Sequence, residues 1–108
     1  MEDNRVFERI DARFPLRFLD PASGHEGEAQ TVDISANGLG LVTDESLDLH
    51  TPLEMWMRIP DKHEPLYARG EVVWSKSLTD PRQKRFGVRL EKAELMGLAR
   101  VLWLKKRG

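Results

Sequence analysis

The sequence predicts a small all-β domain of six antiparallel strands, closed by a C-terminal helix. Six strand-like segments follow one another at short spacing, separated by turns rich in Pro, Gly and Asp. The pattern then changes period, because residues 93–106 contain no proline and place Leu95, Leu98, Ala99 and Leu102 on one helical stripe. Short strands followed by one helix are typical of a barrel or a sandwich with a helical cap.

Three of the predicted strands lie in the first half of the chain. Pro15 forces an extended backbone on the residue before it, which favours a strand over a helix at this point. Strict alternation in the second strand would place Ala29, Thr31 and Asp33 on one face. The three strands are residues 14–19, 27–34 and 38–43.

The second half of the chain supplies three more strands. In the fourth predicted strand, Leu53, Met55 and Met57 alternate with Glu54 and Trp56, a pattern typical of one buried and one exposed face. Polar turns with proline separate this strand from the next two. The three strands are residues 53–59, 66–77 and 85–90.

Composition is typical of one small cytoplasmic domain. A chain of 108 residues can bury one modest core. It has no cysteine, which excludes disulfides and thiolate metal sites and fits a reducing compartment. The charged N-terminus and the lack of a long apolar run predict neither a signal peptide nor a membrane span. A net charge of -1 argues against a protein that holds long nucleic acid.

Basic residues are nevertheless clustered near the N-terminus. Four arginines recur at every fourth position: Arg5, Arg9, Arg13 and Arg17. On a helix this spacing would form a basic stripe able to grip RNA or DNA. Because residues 1–12 are charged and poor in apolar side chains, we predict instead a flexible arm, followed by a folded domain over residues 13–108.

Two short motifs carry the chemistry of a ligand site. Arg9 and Arg13 offer two guanidiniums, which fit phosphate oxygens or the O6/N7 edge of guanine. Asp33, Ser35 and Gly38 follow one strand later; the acid can accept from guanine N1–H and its amine, the hydroxyl can bond phosphate, and glycine admits a close ligand. Each motif alone is ordinary, a solvated face or a capped turn. Together they suit an anionic guanine nucleotide.

These motifs resemble the two signatures of the PilZ family, whose members bind the bacterial second messenger cyclic di-GMP. R-x-x-x-R corresponds to Arg9 and Arg13, because the family's second arginine comes just before the first strand. The signature [D/N]-x-S-x-x-G corresponds to Asp33, Ser35 and Gly38. Two later segments also look like the family's closing strands: residues 70–74 and 86–90. The resemblance therefore covers nearly the whole chain.

The resemblance implies a six-stranded antiparallel β-barrel closed by one helix, and a receptor or adaptor for cyclic di-GMP. It sets Trp74 near the place where some family members hold a ring against a guanine, although barrel packing would explain this residue equally well. Binding is expected to order the arm and so to change a surface that a partner protein reads. Glu8, next to Arg9, would repel a second dianionic ligand, so we expect one ligand per chain.

The pattern predicts neither catalysis nor a cofactor or metal site. His25, His50 and His63 lie in predicted loops without metal-ligand spacing, and the chain contains no P-loop and no G-x-S-x-G. Two alternatives remain open beside the receptor. One is a ligand-independent adaptor that uses the barrel and the helix; the other, disfavoured by the net charge, is a small nucleic-acid-binding protein that uses the arginine stripe.

The C-terminal helix is apolar on more than one side. Four apolar residues lie off its main stripe: Met96, Val101, Trp103 and Leu104. A helix of this kind packs on more than one surface. The pattern indicates a contact with a partner protein or with a second copy of the chain, and a wide core-facing stripe is the simpler explanation.

Overall fold

The structure, a computed structural model, describes residues 9–92 and 95–107. Residues 1–8 of the predicted arm and residues 93–94 of the predicted helix therefore lie outside the described residues. The described elements are β1 (Ile10–Asp11), β2 (Pro15–Leu19), β3 (Glu26–Ile34), β4 (Gly38–Thr43), β5 (Pro52–Met57), β6 (Leu66–Ser77), β7 (Lys84–Leu90) and α1 (Leu95–Arg107).

Six of these strands close into an antiparallel barrel. β3 pairs with β2, and the order continues through β5, β6 and β7 to β4, which pairs back onto β3. All of these pairings are antiparallel. The predicted six-stranded barrel with a C-terminal helix is therefore confirmed. Closure gives every barrel strand a hydrogen-bonded neighbour on both sides.

The short β1 is an addition that the sequence patterns did not predict. It pairs with the end of β3 and sets Asp11 opposite Asp33. Between β1 and β2, the buried Thr31 hydroxyl accepts a hydrogen bond from the Phe14 amide over 2.9 Å. This hydrogen bond gives the Phe14 amide a partner where the chain passes from β1 to β2. The Arg13 side chain, one residue earlier, is exposed.

Inward-facing side chains from the barrel strands form one core. Phe18 and Phe86 are among the largest fully buried side chains, and β5 contributes Leu53, Met55 and Met57, as its alternation predicted. Burying one side chain of this size is worth about 1.5–3 kcal/mol. The inner face therefore stabilises the barrel, and the outer face is available for binding.

Helix α1 is held to the barrel by apolar contacts, in which the partly buried Leu98 and Leu104 also pack against the core, and by an ion pair. Val101 is buried against the core. Arg100 donates to both carboxylate oxygens of Asp61, in the loop between β5 and β6, over 2.5 and 2.7 Å. This fork holds the pKa of Asp61 far below its usual range. The predicted core stripe was wrong at three positions, because the helix is turned so that Val101 faces the core while Ala99 and Leu102 are exposed.

Candidate ligand-binding site

Two β-bulges turn Asp33 and Trp74 onto the outer face of the barrel. The pairing of β3 with β4 shifts register between Thr31 and Asp33, and that of β6 with β7 shifts between Val72 and Trp74. Thr31 and Val72 are fully buried. Because side chains alternate along a strand, Asp33 and Trp74 would also face the core without the extra residue. The prediction that Thr31 and Asp33 share a face was therefore wrong.

Two glycines separate Asp33 from Trp74. Across four strands, Asp33 pairs with Gly40, Gly40 with Gly87, and Gly87 with Trp74. A Cβ at Gly87 would overlap the indole nitrogen of Trp74, and a Cβ at Gly40 would lie 2.8 Å from an Asp33 carboxylate oxygen. The indole and the carboxylate therefore lie directly on bare backbone. Gly40 and Gly87, here called the glycine row, form a floor between an aromatic ring and an acid.

The Asp33 carboxylate accepts hydrogen bonds from three donors. Arg9 Nη1 and the Gly40 amide donate to Oδ1 over 2.9 and 3.0 Å, and Arg85 Nη2 donates to Oδ2 over 3.2 Å. The Arg85 guanidinium also lies 5.8 Å from the centre of the Trp74 ring, in cation–π range. Its Nε is buried and has no hydrogen-bond partner among the described residues. Arg85 therefore carries one buried N–H donor without an acceptor in the described part of the chain, which is an unfavourable arrangement.

Ser35 and Gly38 form the turn between β3 and β4. The Ser35 amide donates to the Gly38 carbonyl oxygen over 2.8 Å, and the Ser35 hydroxyl donates to the same oxygen over 3.2 Å. Both residues line a cavity of about 280 Å³ together with Arg9 and Arg89. The structure thus brings the predicted residues Arg9, Ser35 and Gly38 to one place, at the end of β3 that also carries the acid.

Arg13 lies in a neighbouring groove and does not line this cavity. Its Nε is 3.5 Å from Asp11 Oδ1, and its side chain is 63% exposed. The groove measures about 770 Å³ and is also lined by Gln30 and Val42. These two residues pair with each other at the outward-facing position next to Asp33 on β3. Arg13 therefore lies on the same side of the barrel as Asp33, although no contact joins the two side chains.

Nearly the whole chain matches one known family, since the family model described as PilZ domain covers residues 3–106. The chain belongs to the PilZ domain family. Among the curated proteins, no match to this PilZ domain is found.

Three solved structures share the fold of this PilZ domain. The PilZ domain of YcgR from Escherichia coli, solved with c-di-GMP, has a TM-score of 0.73 at 14% identity, over 97% of this chain and 94% of that one. The PilZ domain of CeSA from a cellulose-synthesizing bacterium has a TM-score of 0.60 at 17% identity, over 90% and 93%. The Bacillus subtilis inhibitor of motility (MotI/DgrA) has a TM-score of 0.72 at 15% identity over 98% of this chain, which spans 52% of that protein.

Two arginines of this PilZ domain were not among the predicted site residues. Arg85, Gly87 and Arg89 alternate with the buried Phe86 and Val88, so alternation alone assigns all three to the outer face. Their position near the acid depends on the pairing of β4 with β7, which joins distant parts of the chain. The sequence therefore predicts that they face outward but not that they border the site.

The three histidines each contact a single carboxylate residue. His25 lies 2.9 Å from Glu45, His50 lies 2.8 Å from Glu71, and His63 lies 3.5 Å from Asp61. The three histidines lie on three different loops. Across residues 9–92 and 95–107, no three His, Asp or Glu side chains are close enough to hold a metal ion. Nor is any helix in this part of the chain long and apolar enough to cross a membrane.

Proposed function

We propose that this PilZ domain binds cyclic di-GMP on the outer face of β3, β4, β7 and β6, and that it acts in the cytoplasm as a receptor or adaptor and not as a catalyst. One observation carries the proposal: Asp33 and Trp74 stand at opposite ends of the glycine row. Membership of the PilZ family and the solution of the YcgR domain with this ligand support it.

The glycine row, with Asp33 at one end and Trp74 at the other, has the groups that a guanine-binding site needs. A carboxylate such as Asp33 can accept from guanine N1–H and the exocyclic amine together. The indole of Trp74, which is 36% exposed, offers a stacking surface worth about 1–3 kcal/mol per base. Gly40 and Gly87 add no side chain between them, so a planar ring can approach the backbone closely.

The guanidinium groups of Arg9 and Arg13, beside the glycine row, would bind the two phosphates of cyclic di-GMP. Arg9 shares its cavity with Ser35 and Gly38, and Arg13 occupies the adjoining groove. Each charge-assisted hydrogen bond contributes roughly 1.5–3 kcal/mol. Part of this is offset, because Arg9 must exchange its contact with Asp33 for a ligand oxygen. The net binding free energy would then be of order 8 kcal/mol, which corresponds to a micromolar dissociation constant.

The N-terminal arm, residues 1–12, would convert binding into an output. Because β1 already pairs with β3, the part of the arm before β1 would be drawn against the barrel of residues 13–108 when Arg9 and Arg13 hold the ligand, and the surface beside it would change. A partner protein would read that surface. Exposed Met96 and Leu102 on α1 offer a further contact for such a partner or for a second copy of the chain.

A ligand-independent adaptor is the second candidate function, and the contacts of Asp33 favour it. Its carboxylate already accepts from Arg9, Arg85 and Gly40. If guanine cannot displace these donors, the ion pairs of Asp33 only stabilise the outer face of the barrel. The barrel and α1 would then act as a scaffold for a partner protein.

Isothermal titration of the full chain with cyclic di-GMP tests the proposal. We expect micromolar binding at one ligand per chain, and a loss of tenfold or more in Asp33→Ala and Arg13→Ala, on the order of 1.4 kcal/mol. Arg82→Ala is the matched control, because Arg82 is 86% exposed in the turn between β6 and β7. No heat with the wild-type chain would favour the adaptor. Oligonucleotide binding with a steep salt dependence, unaffected by Asp33→Ala, would favour a nucleic-acid-binding protein.

A further inference from the structure

A third guanidinium borders the cavity that holds Arg9, Ser35 and Gly38. Arg89 lines the same cavity and lies directly opposite Gly38 in the pairing of β4 with β7. Its side chain is 67% exposed, so it can turn toward a ligand. The proposed function described above does not use it.

Glu71 holds Arg89 at the far side of the cavity. The two residues are partners across β6 and β7, and Arg89 Nη2 donates to Glu71 Oε1 over 3.0 Å. The other carboxylate oxygen of Glu71 lies 2.8 Å from His50 Nδ1. The hydrogen bonds from His50 and then Arg89 lower the pKa of Glu71, because both stabilise its ionised form. An anionic partner therefore competes for Arg89 at the rim of the cavity.

We infer that Arg89 is a further phosphate-binding residue and that Glu71 is an acidic competitor that limits the affinity for cyclic di-GMP. The inference rests on the proposed function. A guanidinium carries five N–H donors in a planar fork, and a phosphate would use the same edges that a carboxylate uses. To bind a ligand phosphate, Arg89 must leave Glu71 or share its donors with it. Glu71 thus weakens binding by acting through Arg89.

The two residues should have opposite effects on ligand affinity. In titrations of the full chain with cyclic di-GMP at one ionic strength, we expect Arg89→Ala to bind about tenfold more weakly, because a charge-assisted contact is lost. We expect Glu71→Gln to bind about two- to fivefold more tightly, the range for release of one exposed ion pair. The double variant should match Arg89→Ala alone, since Glu71 has no effect once Arg89 is absent.

Glu91→Gln is the matched control, because Glu91 lines the adjoining cavity with Glu71 and Arg89 but pairs with Arg69 at 3.7 Å. Its affinity should stay at the wild-type value, and melting curves should show that all variants fold. The inference is overturned if Glu71→Gln binds with unchanged or weaker affinity, or if it still strengthens binding in the Arg89→Ala background. In either case, binding of cyclic di-GMP by the wild-type chain would still support the proposed function. If the wild-type chain takes up no cyclic di-GMP, both fail.

Discussion

Arg85 Nη2 lies 3.2 Å from Asp33 Oδ2, although 52 positions separate the two residues in the chain. They meet because β4 pairs with β3 on one side and with β7 on the other, so that a single strand separates them. Closing the barrel therefore assembles the candidate site. The contribution of each side chain of this site to ligand binding and to stability can be measured with single substitutions.

Asp33→Asn keeps the size of the side chain but removes its charge. We expect cyclic di-GMP to bind about tenfold more weakly or worse, because the amide presents a donor where guanine also presents donors. The melting temperature should fall by about 2–5 °C, since Arg85 loses its charged partner. Titration and thermal melting measure both effects. Asp80→Asn, in the exposed turn beside Arg82, serves as control; wild-type affinity in Asp33→Asn would contradict the assignment of the acid.

Gly87→Ala introduces a Cβ at the place where the Trp74 indole rests. We expect the ring to leave its position over the glycine row, with a red-shifted emission because the indole becomes more exposed. Cyclic di-GMP binding should weaken about tenfold, on the order of the stacking energy of one base. The emission is best measured with Trp56 and Trp103 replaced by Phe. Ser75→Ala, next to Trp74 on β6, is the control; an unchanged spectrum in Gly87→Ala would show that the ring does not need the bare backbone.

Arg9→Ala and Arg13→Ala should each weaken cyclic di-GMP binding by about tenfold, because each removes one of the proposed charge-assisted contacts to phosphate. If the arm folds onto the ligand, the ligand should also slow amide exchange in residues 1–9, before the already paired β1, in the wild-type chain but not in either variant. Hydrogen exchange with mass spectrometry gives this readout. Arg82→Ala should behave as wild type. Tight binding without any protection of the arm would refute the proposed output while leaving the ligand site intact.

Arg100→Gln removes the fork that joins α1 to Asp61. We expect the melting temperature at neutral pH to fall by about 5 °C or more, because Asp61 keeps a nearly buried side chain and loses its partner. Thermal melting measures the loss, with Arg82→Gln as the control for an exposed pair. A melting temperature equal to that of the wild type would show that apolar contacts alone hold the helix.

The ion pair between Arg100 and Asp61 also predicts how the melting temperature depends on pH. The pKa of Asp61 is lowered in the folded state, so its contribution to stability is fully present above the unfolded-state pKa of about 3.9 and is lost as the pH falls toward the folded-state value. The difference in melting temperature between wild type and Arg100→Gln should therefore be constant from about pH 7 to 5 and should shrink below about pH 4. A difference that does not change down to about pH 3 would argue against an ionic origin.

Most of the barrel could be predicted from the sequence because burial leaves a period of two in the strands. Leu53, Met55 and Met57 alternate inward, and β5 follows that pattern. The helix was harder to orient, because α1 is apolar on several sides. Its Arg100 contact with the β5–β6 loop, which no local pattern indicates, accompanies the rotation that buries Val101.

The site was predictable only in part. Arg9, Asp33, Ser35 and Gly38 form recognisable short motifs, and the structure brings them close together. The bulges before Asp33 and Trp74 escape detection, because one extra residue reverses which face a side chain takes without altering composition. Likewise, Arg85 lies near Asp33 because β4 pairs with β7, and no local sequence pattern indicates that long-range pairing.

The two bulges also suggest how such a surface could be engineered. Val32 and Val73 are the extra residues, and each leaves the inward pairing on either side of it in place, as Thr31 with Leu41 and Ile34 with Leu39 show. A designer could therefore add one residue to each of two strands of an unrelated six-stranded barrel, and one glycine to each strand between them, to create a nucleobase platform without repacking its interior.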